Sequence, residues 1–135
     1  METAHTVGNK YQQVKNLPLT DIVKLIRKDL KKFNDCKFSV RKANYTQITI
    51  ELMSCNNQNR FVWFDNHNQK ILRLENNFMK EIKNISNQYN FDNSDSMSDY
   101  FHVNFYAYIK CNSLLLAEME NKIKPIKEKN NDYIY

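Results

Sequence analysis

Four residues near the middle of the second half, Tyr100, His102, Tyr106 and Tyr108, share one face of an alternating run. Phe101, Val103, Phe105, Ala107 and Ile109 take the other face, the strict two-residue period of a half-buried strand. The apolar set reads as a core face. The Tyr/His set, with Asn104 and Lys110, reads either as a partner-binding face or as a face buried against the last helix or the N-terminal arm. Tyrosine suits the first role because it offers a large rigid contact at low entropic cost. His102 with Asp95 or Asp99 is also the loosest form of an acid/base pair, the material of a small metal-dependent nuclease.

A second group is cationic. Lys24, Arg27, Lys28, Lys31 and Lys32 lie opposite an apolar stripe of Ile22, Val23, Ile26, Leu30 and Phe33 at helical spacing. With the stripe docked, these five form a ridge that is either a solvated helix face or a phosphate-contacting surface acting through counterion release. Arg27 is the most informative of them, since its planar fork suits bidentate phosphate or carboxylate contacts. Lys37 and Arg41 add to the basic total from the outer face of a following hairpin, where Glu51 would make a simple cross-strand pair.

The run from Asp92 to Asp99, with its serines, offers oxygen ligands to a hard cation, but it lacks the glycine and closing glutamate of an EF-hand loop. Its alternative role is a tight turn capped by Asp and Ser side chains. Cys36, Cys55 and Cys111 are odd in number and widely spaced. They suggest reduced core thiols, the alternative being a nucleophile pairing Cys55 or Cys111 with His67 or His102. Gly8 is the single glycine, and loops that cradle phosphates need several, so Walker and Rossmann nucleotide sites are excluded. No catalytic residue, metal or cofactor is expected.

These groups must be carried by a chain of 135 residues, the length of one domain with a core of its own. Residues 1–16 read as an arm that packs through Val14 and Leu17, 17–126 as the domain and 127–135 as a charged tail. A helix begins near Thr20, a plausible N-cap, and ends at Asn34-Asp35. A hairpin follows, with Phe38, Val40, Ile48, Ile50 and Leu52 inward and a turn over Lys42 to Tyr45. Arg60 to Phe64 forms a short third strand in which Trp63 sits in an aromatic cluster or serves as a base-stacking platform.

Ile71, Leu74, Phe78, Ile82, Ile85 and Tyr89 then predict a helix from about Gln69 to Gln88. The mixed charge of that helix's polar face looks like solvent exposure. Asn112 or Ser113 caps a final helix with Leu115, Leu116, Met119 and Ile123 inward. The expected class is α+β, a small mostly antiparallel sheet of about three or four strands with about three helices on it.

The net charge of +5 favours anionic partners. No apolar run reaches the length of a membrane span, and the N-terminus lacks the basic start and apolar middle of a signal peptide, so the cytoplasm is expected.

Two stretches carry a family resemblance. LTDIVKLIRKDLKKFNDCKFSVR followed by a hairpin, and YNFDNSDSMSDYFHVNFYAYI, resemble the large polyvalent protein-associated domains of phages, plasmids and other mobile elements. The similarity covers roughly residues 11–110. It implies a small protein in the host bacterial cytoplasm, one that counters host defence as anti-CRISPR proteins do, including one directed at an RNA-cleaving type VI effector. On that reading the chain is a non-enzymatic inhibitor whose partner is a CRISPR effector protein or its guide RNA. The basic ridge would engage RNA phosphates and the Tyr/His face the effector. A general nucleic-acid-binding accessory domain of a mobile element is the alternative, and a small nuclease the second alternative.

Overall fold

In the computed structural model the described residues are 4–94 and 103–125. Strand β1 (Ala4–Val7) and a single turn of helix α1 (Tyr11–Val14) precede helix α2 (Leu19–Asp29). Pro18, in extended conformation, is the N-cap of α2, so the cap falls two residues before Thr20 and uses no side chain. Proline serves there because its missing N–H is one that a helix start leaves unpaired in any case. Asp21 lies in the first turn and Arg27 and Lys28 in the last, both favourable to the helix dipole. The chain then tightens into a 3-10 turn (Leu30–Lys32), which carries Lys31 and Lys32 off the regular helix.

Strands β2 (Cys36–Asn44) and β3 (Gln47–Cys55) form the expected hairpin, with a turn of only Tyr45 and Thr46. The Asn44 side chain accepts from the Thr46 backbone N–H at 2.9 Å and closes it. Strand β4 (Phe61–Asn66) is the predicted third strand. The next segment corrects the sequence reading: Gln69–Leu74 is not the start of a long helix but strand β5, paired antiparallel with β4.

His67 and Asn68 make the β4–β5 turn with φ of 51° and 68°. Two successive left-handed residues give the turn whose twist matches that of a hairpin, and asparagine tolerates that region better than most residues. Helix α3 (Asn76–Asn87) starts only after Glu75, whose carboxylate accepts from the N–H groups of Asn77 and Phe78. Ile71 and Leu74 fell into step with Phe78 by coincidence of spacing; Leu72 and Leu74 point to the core from a strand.

Strand β6 (Phe91–Ser94) pairs antiparallel with β1, which ties the N-terminal arm to the domain. Asp92 and Ser94 of the acidic run therefore lie in a strand, while Asp95 to Asp99 are outside the described residues. Gly8 follows β1 where its N–H donates to Asn90 O at 2.8 Å; a Cβ there would stand 2.0 Å from Asn87 O. The single glycine thus serves close backbone packing.

Strand β7 (Tyr106–Cys111) joins β3 in parallel, giving a three-stranded sheet in the order β2-β3-β7. The expected strand is shorter than its alternation suggested: Asn104 and Phe105 precede it, and Phe105 is fully buried. Helix α4 (Ser113–Lys122) begins at Asn112, whose side chain accepts from Leu114 and Leu115 N–H. The fold is α+β and, among the described residues, all but one strand pair are antiparallel.

One connected core lies under the sheet. Val40, Ile48, Ile50 and Leu52 meet Ile22 and Ile26 of α2, Phe78 and Ile82 of α3, and Leu115 and Met119 of α4. Phe33 and Phe78 pack edge-on within it with rings 5.2 Å apart, and Phe38 lies tilted against both.

Candidate interaction surfaces

Alternation along the three-stranded sheet separates an inner face from an outer one. On the outer face the register sets Arg41 beside Thr49 beside Tyr108, and Ser39 beside Glu51 beside Lys110. Tyr106 stands beside Gln47 on the same face. Tyr106 and Tyr108 are 50% and 55% exposed. Arg41 and Lys110 are exposed beside them, and Lys37 is exposed toward the other end of β2, opposite Ser54. Thr49 and Glu51, on the central strand, also lie on this outer face but are hidden beneath these longer neighbours.

Glu51 is the polar centre of this face. It accepts from Arg41 Nη2 at 2.9 Å and from Asn112 Nδ2 at 3.1 Å. The Arg41 hydrogen bond, opposed by burial, holds the Glu51 carboxyl below its usual range. Arg41 also donates to Ser39 Oγ at 3.1 Å, so its guanidinium is largely committed. Among the described residues, Lys37, Lys110 and the two tyrosine hydroxyls are the parts of this face left to meet a partner.

The helix ridge occupies a different layer. Lys24, Arg27, Lys28, Lys31 and Lys32 are all exposed, on the side of α2 and its 3-10 turn away from the core. Arg27 Nη2 donates to Val40 O at 2.7 Å, and so clamps α2 to the outer strand β2. Lys32 leans over the Phe33 ring at 5.2 Å. Lys37 and Arg41, counted with these cations in the sequence, stand apart from the ridge on β2: Arg41 is in the row of Thr49 and Tyr108, and Lys37 is near the other end of the strand. Tyr100 and His102, with Asp95 and Asp99, lie outside the described residues.

Near the start of β2, Cys36 faces Cys55 across the strand pair with sulfurs 3.5 Å apart. With Asp35 they place one carboxylate and two sulfurs within 4.8 Å, a donor set able to hold a thiophilic metal. The carboxylate already has partners: Arg60 Nε and Asn57 Nδ2 each donate to Asp35 Oδ2 at 2.9 Å. The Arg60 hydrogen bond lowers the Asp35 carboxyl to about 2. Burial, with the Cys55 thiol alongside, pushes the Cys36 thiol well above its usual value, which favours the neutral thiol over a nucleophile. Burial raises the Cys111 thiol to about 11. His67, the proposed partner of such a nucleophile, is an exposed turn residue.

Trp63 is half-buried against the core and its indole N–H donates to Ile123 O at 2.9 Å. Phe64 carries the Arg73 guanidinium 4.0 Å above its ring. Both rings are thus engaged within the fold.

Residues 17–131 match the family described as large polyvalent protein associated domain 29. The chain belongs to that family. The match begins two residues before α2 and runs beyond α4, so every surface above is part of this mobile-element-associated domain. No curated protein and no solved structure matches the chain.

One further surface of this large polyvalent protein associated domain escaped the sequence. A groove of about 500 Å³ opens between β5, β7, α3 and α4. Leu72, Leu74, Met79, Ile109 and Leu116 contribute its apolar walls, and Arg73, Lys80, Lys83 and Lys110 its charge. The helical part of that set was visible as the mixed polar face of α3; pairing it with β7 needed the tertiary structure. No helix among the described residues is long and apolar enough to cross a membrane.

Proposed function

We propose that this domain is a non-catalytic counter-defence protein that binds a CRISPR effector nuclease carrying its guide RNA. The reading is supported above all by the outer sheet face, where Tyr106 and Tyr108 stand exposed beside Arg41 and Lys110. Exposed tyrosines flanked by cations combine the two features that anchor protein interfaces and RNA-bearing surfaces. Membership of a family of mobile-element domains supplies the context in which blocking a host nuclease has a use. The domain acts in the host bacterial cytoplasm on this reading.

The test is a guide-directed RNA-cleavage assay of a type VI effector with the protein titrated in. Cleavage should fall with increasing protein, and the Tyr106→Ala, Tyr108→Ala double variant should need about a hundredfold more, the worth of two interface anchors. Undiminished cleavage at saturating protein would exclude this partner.

The exposed cations of α2 and its 3-10 turn favour a second reading, a general nucleic-acid-binding module. It predicts RNA affinity that falls steeply with salt, loses about one unit of salt slope per lysine removed from the ridge, and needs no effector at all.

A further inference from the structure

Among the described residues, the sheet ends in an edge that is bare on one side. Tyr106 N donates to Thr46 O at 2.6 Å and Asn112 N to Leu52 O at 2.9 Å, so the even-numbered amides of β7 face β3. In a parallel pair the intervening residues direct both backbone groups the other way. The N–H and C=O groups of Ala107, Ile109 and Cys111 therefore point away from β3, and among the described residues none of them has a partner. Unpaired edges of this kind are templates for another strand.

The groove lies along this same edge, with Ile109, Lys110 and Cys111 on one wall and α3 and β5 on the other. Its charge is one-sided: Arg73, Lys80, Lys83 and Lys110 contribute cations and, among the described residues, no lining residue contributes a carboxylate. A strand laid against β7 would place alternate side chains toward the apolar walls and the others toward this rim. Arg73 stacks on Phe64, which holds its guanidinium in place rather than leaving it free to follow solvent.

We propose that the β7 edge and its groove form a docking site for an extended acidic segment of a partner protein, added as a fourth strand beyond β7. The occupant is about five residues long where it touches the edge, as strand rise over residues 107–111 requires. Its composition alternates apolar side chains with glutamate or aspartate. Backbone hydrogen bonds to Ala107, Ile109 and Cys111 give it affinity, and the four cations select its charge. This site differs from the outer face assigned above, and it stands whether or not the partner is a nuclease.

The probe is a blocked decapeptide of alternating valine and glutamate, mixed with the full chain and followed by amide hydrogen exchange. In the free protein, Ala107, Ile109 and Cys111 amides should exchange quickly while Tyr108 and Lys110 are protected. The peptide should slow the first three and leave the other two unchanged. A peptide with lysine for glutamate, one N-methylated at alternate residues, and the Lys80→Glu, Lys83→Glu variant with the original peptide should each bind at least about tenfold more weakly.

The two variant lysines are exposed, so the fold tolerates the change. No slowing at millimolar peptide, equal binding of the lysine peptide, or protection of all five amides in the free chain would each overturn the proposal. So would slowing of the same three amides by polyuridine RNA but not by the peptide, which would assign the groove to nucleic acid. An effector that is not inhibited but a peptide that binds would leave this site standing while removing the counter-defence reading.

Discussion

The two edges of the three-stranded sheet are treated in opposite ways. At the β2 edge, α2 packs alongside and Arg27 reaches across to the Val40 carbonyl. The pairing of β2 with β3 shifts register twice, between Lys37 and Phe38 and between Lys42 and Asn44, and Lys37, Arg41 and Lys42 line the strand. Irregularity, charge and a covering helix are the usual defences against unwanted strand addition. At the β7 edge the strand is regular, its outward amides are unpaired among the described residues, and a groove runs beside it. One edge is closed to partners and the other is open, which separates the part of the sheet that holds the fold from the part free to bind.

The contrast can be broken most severely from beneath. Ile26→Ala empties a fully buried position where α2 meets the covered edge and should cost about 3 kcal/mol in chemical denaturation. Next comes Arg60→Ala, which unpairs Asp35 just before β2 and removes the guanidinium lying 4.4 Å over Phe78. A loss of about 2 kcal/mol at neutral pH is expected, measured in the same way.

The sign of the pH effect follows from the depressed Asp35 carboxyl. Its contribution is fully present above the ordinary value of 3.8 and disappears as pH falls through about 2. Acid denaturation of the native chain should show this loss over that window, and the Arg60→Ala chain should keep only the smaller part that the Asn57 hydrogen bond supplies.

Arg27→Ala frees one carbonyl at the guarded edge for about 1 kcal/mol and should leave peptide binding at β7 unaltered, as read by calorimetry and hydrogen exchange. The smallest effect on stability belongs to Tyr106→Ala and Tyr108→Ala, below about 0.5 kcal/mol each by thermal denaturation, because both rings are half exposed. If those two changes unfolded the chain, the outer face would be a covered surface and the division between holding and binding would fail.

How far the residues alone led depends on whether period or partner decided the outcome. Asn112 as the cap of α4, the inward set Ile48, Ile50 and Leu52, and the helical stripe Ile22, Val23 and Ile26 were legible, because each follows from local spacing. The helix from Gln69 failed because Ile71 and Leu74 satisfied a helical step while His67 and Asn68, without a glycine, concealed a hairpin turn. That Arg41 shares a row with Tyr108 was not legible, because the sequence does not say which strand neighbours β3; β7 does so, from far along the chain. The groove shares this origin, since Lys110 and Lys83 come from elements whose adjacency no local pattern encodes.

The bond from the Trp63 indole to the Ile123 carbonyl has a practical use. Trp63 is the single tryptophan of the chain, and Ile123 closes the last turn of α4. Intrinsic fluorescence therefore reports, from one defined point and without a label, whether the C-terminal helix is seated on the β4–β5 hairpin. A partner that pried α4 away would shift the emission towards that of a hydrated indole, while a ligand bound only to the outer sheet face would leave it unchanged.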